Sequence, residues 1–353
     1  MALFSPIRRS IRSYYREFVQ FFLSRPVNPI EQPWHEITDG LPTPPLTPEN
    51  YEELAYKAMN TIHYFKSALQ TPREQQHSFA LRVRITKGNI TAEPWLTSPQ
   101  IKNGEVTGII GNKTNLKRSR PGTKVTVPET AIIDWMMVED DFLLGGYSIR
   151  IGIKNLERWD RRTVYDHLPY EVDDGHDHFK HDLSTPEGAL LLLGDAIDER
   201  DTDKIRYCKD FYREALYLLG TSTHPSVPRP ITEEMVEALE QRLEEVFIKF
   251  NTLPETTSFY DAKRAFLYRR ECPMNVWEIT EIRTYYNPKF KTMHLINVQE
   301  TKDGWKVLSN MNDVQLYPRP KNDKGPIIDL TGDHIKFYED YNFPLFLKNR
   351  KKN

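Results

Sequence analysis

The stretch Asp134–Arg150, DWMMVEDDFLLGGYSIR, decides the fold of the middle of this chain. An apolar run precedes an acidic pair, and a second apolar run ends in the glycines Gly145 and Gly146. Short apolar runs bounded by turn residues are typical of strands. The segment therefore predicts two strands joined by a tight acidic turn. The glycine pair inside the second strand predicts a bulge or a close backbone approach, and Tyr147 continues the strand.

The polar and aromatic side chains of this stretch allow two interpretations. Asp134 could cap exposed backbone amides, accept from a neighbouring indole, or pair with Arg150 across the hairpin, and all three roles are structural. The functional alternative is a ligand or partner groove, because aromatics with one arginine are enriched at binding hot spots. The candidate groove residues are Trp95, Asp134, Trp135, Tyr147 and Arg150.

The residues before this stretch predict a mostly antiparallel sheet with a leading helix. Apolar residues recur at helical spacing through 51–70, and alternation with a period of two begins at Phe79. The turn Lys87–Asn89 predicts a hairpin, and further turn residues separate two strands over 106–111 and 124–127.

This part of the chain resembles a known bacterial domain of unknown function, the YegJ-like domain. The resemblance covers about residues 75–155 and implies no catalytic activity. The residues that carry it are Trp95, the segment Gly108–Asn112, Pro128, Asp134, Trp135, Met136, Gly145, Gly146, Tyr147, Ile149 and Arg150. Ser148 stands where that domain usually has threonine.

Composition sets broad limits on the class of protein. At 353 residues the chain predicts two or three domains, and a hydrophobic content of 39% argues against wholesale disorder. A formal charge of -2 disfavours a nucleic-acid partner. The two cysteines, Cys208 and Cys272, form neither a C-x-x-C pair nor a disulfide framework, which predicts a cytoplasmic location.

The first 25 residues form a separate basic and apolar pattern. Aromatic and aliphatic residues recur at helical spacing with four arginines between them, which predicts an amphipathic helix. This helix either docks on the protein or makes a peripheral contact with an anionic membrane. The proline-rich segment after it predicts a linker.

Three histidines within the acidic segment 173–182 are the weak metal candidates: His176, His178 and His181. Imidazoles at this spacing could converge on zinc, but a zinc site needs further ligands that the segment does not identify. The alternative is a solvated loop, and we expect no metal and no cofactor.

The rest of the chain predicts helices followed by antiparallel strands. Ser184–Glu187 marks a helix start, Asp201 opens a second helix running through Leu219, and a third covers 231–250. The predicted strands are 276–283, 292–299 and 305–309. This order over about 184–315 resembles the nuclear transport factor 2-like (NTF2-like) cone, also called SnoaL-like or cystatin-like. That resemblance implies a conical pocket, used by enzymes in some members and for binding or homodimerisation in others.

Catalysis would need an acid or base inside such a pocket. The candidates by residue type are Asp195, Asp210, His294 and Tyr207. No paired-carboxylate or Ser/His/Asp pattern singles out one of them.

Together these patterns predict an α+β bacterial protein with a small antiparallel domain and a cone whose helices precede a curved sheet. The expected function is a non-catalytic ligand- or protein-binding module, and the alternatives are a small-molecule enzyme and a membrane-surface adaptor. The expected partner is a protein or a small-molecule ligand. The predicted regions are a helix over 1–25, a linker over 26–50, the YegJ-like domain over 51–155, an acidic and histidine-rich linker over 156–183, the cone over 184–315 and a tail over 316–353.

Overall fold

A computed structural model describes residues 48–112, 120–154, 165, 168–172, 175–222, 229–252, 259–286 and 289–317. Within this part the chain divides into two compact units. The first takes residues 48–55, 65–141 and 146–171, and the second takes residues 56–64, 142–145 and 172–317. Helices and antiparallel strands occur in both halves of the chain, which confirms the predicted α+β class.

Among the described residues, the first half of the chain holds two α-helices and eight strands. They are α1 Pro48–Gln70, β1 Gln76–Val83, β2 Ile85–Lys87, β3 Ile90–Ala92, β4 Trp95–Lys102, β5 Glu105–Ile110, β6 Lys124–Pro128, β7 Ile132–Glu139, β8 Phe142–Gly145 and α2 Tyr147–Lys154. Six strands form one sheet in the order β6-β5-β4-β1-β7-β8, and β2 pairs with β3 in the predicted hairpin.

The first unit's core forms around β7. Residues 134–138 of this strand are all buried, so the strand is covered on both faces. Phe65 of α1 packs with its ring centroid 5.6 Å from that of Trp135 and 5.7 Å from that of Phe79. Helix α1 therefore covers one face of the sheet, as its apolar spacing predicts.

The prediction that Tyr147–Arg150 continues a strand is wrong. Gly145 and Gly146 adopt φ angles of 63° and 59°, and two successive left-handed residues turn the chain out of the sheet. The residues that follow form the helix α2 instead. The two glycines therefore end β8 and do not form a bulge within it.

In the described part of the second half of the chain, four α-helices are followed by four strands. They are α3 Pro186–Asp198, α4 Thr202–Cys208, α5 Phe211–Thr221, α6 Glu233–Asn251, β9 Ala262–Cys272, β10 Val276–Tyr286, β11 Lys289–Thr301 and β12 Gly304–Tyr317. The strands form an antiparallel sheet in the order β12-β11-β10-β9.

The second unit's core lies between α3 and one face of this sheet. Leu190 and Leu193 of α3 share a buried cluster with Phe266, Ile279 and Ile296 of the strands. Helix α3 begins as the sequence predicts: Thr185 caps it by accepting a hydrogen bond from the Gly188 amide at 3.0 Å, and Pro186 follows. Such a cap contributes about 1 kcal/mol.

The single helix predicted from Asp201 through Leu219 is two helices in the structure, α4 and α5. Lys209 is extended, with φ −101° and ψ 154°, and forms a bridge to Val307 of β12. Asp210 then caps α5 by accepting from the Arg213 amide. The apolar stripe from Ile205 to Leu219 continues across this break, so periodicity alone does not reveal it.

Several predictions fall outside the described residues. They concern the helix over 1–25 with its membrane contact, most of the proline-rich linker and the tail after 317. The last three residues of the predicted linker, Pro48–Asn50, open helix α1. Among the helices that the structure describes, none combines the length and the apolar character needed to cross a membrane. The predicted domain boundaries stay predictions.

Candidate functional site

Asp134 is a buried carboxylate that binds the first turn of α2. Its Oδ1 accepts from the amides of Trp135 at 2.8 Å and Tyr147 at 3.3 Å. Its Oδ2 accepts from the Ser148 amide at 2.7 Å and from the Ser148 hydroxyl at 2.6 Å. A carboxylate here satisfies amides that the helix itself cannot and complements the positive end of its dipole. Amide capping, one of the three roles predicted for Asp134, is confirmed.

Burial and hydrogen bonding act in opposite directions on this carboxyl group. Burial raises the pKa of Asp134, while the hydrogen bonds from Ser148 and Trp135 act to lower it, and the net direction is upward. The group therefore resists ionisation more than an exposed aspartate does, although it serves as an acceptor in all four contacts.

The predicted groove aromatics are buried in the first unit. The Trp135 and Tyr147 ring centroids lie 6.1 Å apart at an interplanar angle of 88°, an edge-to-face packing. Trp95 is also buried, and its backbone amide donates to Asn112 Oδ1 at 2.8 Å. Arg150 lies in α2 and is partly exposed. These positions favour the structural interpretation, and a groove at these residues stays a prediction.

His176 and Asp177 lie beside β9 in the second unit. The Arg264 amide donates to His176 Nδ1 at 3.0 Å, and the Asp177 amide donates to the Arg264 carbonyl at 2.8 Å. Asp177 Oδ2 accepts from the Phe266 amide at 2.9 Å. The segment predicted as a linker is therefore attached to the sheet edge at these residues.

Two of the three metal candidates contact each other: the ring centroids of His176 and His178 lie 4.6 Å apart at an interplanar angle of 73°. His178 stacks on Tyr64, with ring centroids 3.6 Å apart and planes 3° from parallel. His181 Nδ1 lies 2.6 Å from Asp195 Oδ2, so a metal candidate and a catalytic candidate form a pair. Among the described residues, no group of three or more His, Cys, Asp or Glu side chains is arranged to hold a metal ion.

The other catalytic candidates have structural contacts. Asp210 caps α5 and also pairs with Arg213 at 3.1 Å. The buried His294 of β11 places its Nε2 2.7 Å from the Thr292 hydroxyl. Tyr207 is exposed.

A buried charged group that the sequence analysis missed lies on β9 and β10. Arg264 and Arg283 are paired in register, and Glu281 is two residues from Arg283. All three lie on the face that carries Phe266 and Ile279, because alternate residues and directly paired residues share a face. This face packs against α3. We call Arg264, Glu281 and Arg283 the charged triad.

Glu281 holds the charged triad together. Its Oε1 accepts from Arg264 Nε, and its Oε2 accepts from Arg283 Nε at 3.0 Å and Nη2 at 2.8 Å. Burial opposes ionisation of this carboxyl, but the two guanidinium groups outweigh it and hold the pKa of Glu281 well below its usual range. Glu281 is therefore an anion in the interior of the second unit.

The comparison with known families concerns the part of the chain that contains Asp134. Residues 49–168 match the family model described as an uncharacterized protein conserved in bacteria, DUF2314. The chain contains a DUF2314 domain. No curated protein matches the chain. The match extends beyond the segment 75–155 that carries the sequence resemblance, and it includes the whole of α1 after Pro48.

The charged triad lies outside the DUF2314 domain. No comparison confirms the NTF2-like cone predicted for the region after it, and the cone stays a prediction. The Asp134 cap is thus a feature of the DUF2314 domain, whereas the charged triad and the His181–Asp195 pair belong to the remainder of the chain.

Substitution of Asp134 is expected to destabilise the DUF2314 domain. Asp134→Ala leaves the buried amides of Tyr147 and Ser148 without their acceptor, and we expect a loss of at least about 2 kcal/mol in the free energy of unfolding. Urea denaturation measures this loss, and Glu105→Gln, which changes an exposed carboxylate on β5, is the control. A loss below about 0.5 kcal/mol for Asp134→Ala would show that the cap is dispensable.

His176 is expected to make the protein sensitive to acid. Burial lowers the pKa of His176 from 6.5 to about 4, and its Nδ1 must be unprotonated to accept from the Arg264 amide. Because the folded pKa lies below the unfolded one, stability from this group is present above pH 6.5 and is lost as the pH falls toward 4, by at most about 3 kcal/mol.

The substitution His176→Asn tests this assignment, because its amide oxygen can replace Nδ1 as the acceptor but does not titrate. We expect the variant to lose less stability than the unchanged protein between pH 6.5 and 4. Identical slopes of unfolding free energy against pH would contradict the assignment.

Proposed function

We propose that this protein is a non-catalytic binding protein whose second unit takes a small ligand on the helix-facing side of its sheet. The observation that carries the proposal is the charged triad, in which Arg264 and Glu281 are buried and Arg283 is partly buried on the face that packs against α3. Burying charge is costly, so charged side chains inside a small unit call for a compensating role. The order of four helices before a four-stranded antiparallel sheet supports an NTF2-like cone as the framework of this site.

The chemistry of the charged triad supports binding over turnover. A general base needs a pKa near the working pH, and the pKa of Glu281 lies far below that range. Both of its oxygens are already occupied by guanidinium donors. Arginine does not exchange its proton near neutral pH, so the triad can hold and orient a ligand but is poorly suited to proton transfer.

The pair His181–Asp195 supports a second candidate function, acid–base catalysis on a small molecule. An aspartate on Nδ1 orients the imidazole and leaves Nε2 to exchange a proton with a substrate, as in catalytic triads. The His181 side chain is 45% exposed, so a substrate could reach it. An activity found in the purified protein and lost in His181→Asn would favour this function over the first.

The test of the proposed function is a ligand screen on the purified full chain by thermal unfolding, with neutral and charged small molecules. We expect ligands that raise the melting temperature, and we expect Arg283→Gln to abolish these shifts. Arg270→Gln is the matched control, because Arg270 pairs with Glu278 on the opposite face of the same sheet at 2.8 Å. Shifts that survive Arg283→Gln, or a complete lack of ligands, would contradict the proposal.

A further inference from the structure

We infer that the ligand of the second unit carries an oxyanion, a carboxylate or a phosphate, which lies beside Arg283 and balances the charge of the triad. This inference rests on the proposed function and assigns it a chemical class of ligand. The charges and hydrogen bonds of the described residues carry it.

The charged triad carries an excess of positive charge. Two guanidinium groups face one carboxylate, so the charged triad has one positive charge in excess. Burial raises the pKa of Tyr285 and lowers that of His176, so neither of these neighbours supplies a compensating negative charge or a further cation near neutral pH. An uncompensated buried charge is strongly unfavourable. A bound anion would remove that excess.

The excess positive charge is accessible at Arg283. Arg264 donates to Glu281 and to the Leu190 carbonyl at 3.1 Å. Its Nη1 packs against Gly194 and occupies the space that a Cβ atom at that position would need. The side chain of Arg283 is 11% exposed, whereas that of Glu281 is 0% exposed. Arg283 is therefore the member of the charged triad that a ligand from solution can reach.

Phe259 and Glu281 determine which N–H groups of Arg283 can face a ligand. The Phe259 ring covers both guanidinium groups, with its centroid 5.0 Å from Arg264 Cζ and 4.4 Å from Arg283 Cζ. Arg283 Nε and one N–H of its Nη2 donate to Glu281, so the fork that Glu281 does not use is formed by Nη1 and the second N–H of Nη2. A planar fork of this kind matches the two oxygens of a carboxylate or a phosphate.

Two hydroxyl groups lie beside Arg283 on the same face. Thr292 of β11 is paired in register with Arg283, and its hydroxyl lies 2.7 Å from Nε2 of His294, which is paired with Glu281. Tyr285, two residues from Arg283, shares that face and accepts a hydrogen bond from Arg283, while its raised pKa keeps the phenol protonated. Each hydroxyl can therefore donate to an oxygen of an anion while it accepts from its present partner.

The experiment is isothermal titration calorimetry on the full chain with acid and amide pairs. The probes are acetate and acetamide, succinate and succinamide, benzoate and benzamide, and inorganic phosphate. We expect saturable binding of at least one anion and none of its uncharged counterpart. The carboxylates and the phosphate are separate arms, so the result also identifies the oxyanion class.

Substitutions test whether anion binding depends on Arg283. Arg283→Gln is expected to weaken binding at least about thirtyfold, Arg283→Lys to retain part of it, and Arg270→Gln to leave it unchanged. If neutral molecules bind in an Arg283-dependent manner and no anion does, the inference fails while the proposed function stands. If no probe binds at all, the charged triad is a structural ion group and both fail. Equal binding by Arg283→Gln and the unchanged protein also overturns the inference.

Discussion

Replacing Glu281 with glutamine is expected to lower the free energy of unfolding by about 3–5 kcal/mol. The substitution preserves the size of the side chain but removes the one negative charge that both Arg264 and Arg283 contact. Two buried guanidinium groups would then repel each other without a counter-ion. Chemical denaturation monitored by tryptophan fluorescence, with Trp277 on the same strand as a reporter, measures the loss.

The control for this substitution is Glu300→Gln, which changes an exposed carboxylate on the adjacent strand β11. We expect a change within about 0.5 kcal/mol there. If Glu281→Gln changes the free energy of unfolding as little as Glu300→Gln does, the Glu281 carboxylate is not the counter-ion of the two arginines. A high concentration of an anion that binds the protein should recover part of the loss in Glu281→Gln.

Removing one partner of the Lys209–Glu214 pair is also expected to cost about 3–5 kcal/mol. Lys209 Nζ lies 2.8 Å from Glu214 Oε2, donates to the Leu308 carbonyl and lies 4.4 Å from the Phe247 ring centroid. The Lys209 side chain is 1% exposed, so Glu214→Ala would leave an ammonium group buried without its carboxylate. Burial lowers the pKa of Lys209 and raises that of Glu214, and the attraction between the two groups acts against both shifts.

A double variant separates the pair from the packing around it. Lys209→Met with Glu214→Leu replaces both charges by apolar groups of similar size, and we expect it to recover most of the lost stability. The exposed pair Arg206–Glu244, at 2.7 Å, is the matched control, and Glu244→Ala should cost less than about 1 kcal/mol. A double variant that is no more stable than Glu214→Ala would show that packing, and not the unpaired charge, causes the loss.

The elements predicted from the sequence are those with local signals. Alternation from Phe79 and the turn Lys87–Asn89 predict the β2–β3 hairpin, and Thr185 with Pro186 predicts the start of α3. These signals lie within a few residues of the structure that they specify. The predicted strands of the second unit are confirmed for the same reason, although β10, β11 and β12 extend further than predicted.

Helix α2 was missed because its cap is supplied from elsewhere. Tyr147–Arg150 reads as a strand by residue type, but Asp134 lies 13 residues before Tyr147 in sequence and accepts from its amide. The pair Gly145 and Gly146 is compatible with a bulge or with a chain reversal, and local sequence does not distinguish them. Contacts with residues distant in sequence therefore determine that Tyr147–Lys154 forms a helix.

The charged triad was missed because its members are distant in sequence. Arg264 and Glu281 are 17 residues apart and meet only through the register of β9 with β10. An inward-facing arginine also disrupts the apolar alternation of β9, which the sequence analysis did not predict. One signal was present in the sequence. Glu281 lies two residues after Ile279 and therefore on the same buried face of the strand, where a charged residue indicates a buried polar site.

The most direct test of the central claim is the arginine side-chain spectrum of the ¹⁵N-labelled full chain, followed while a carboxylate or phosphate is added. We expect one Nε–H resonance that disappears in Arg283→Gln and that shifts to saturation with the anion, while the resonance lost in Arg270→Gln stays fixed. An Arg283 resonance that does not move, or that drifts without saturation as it does with chloride, would contradict it.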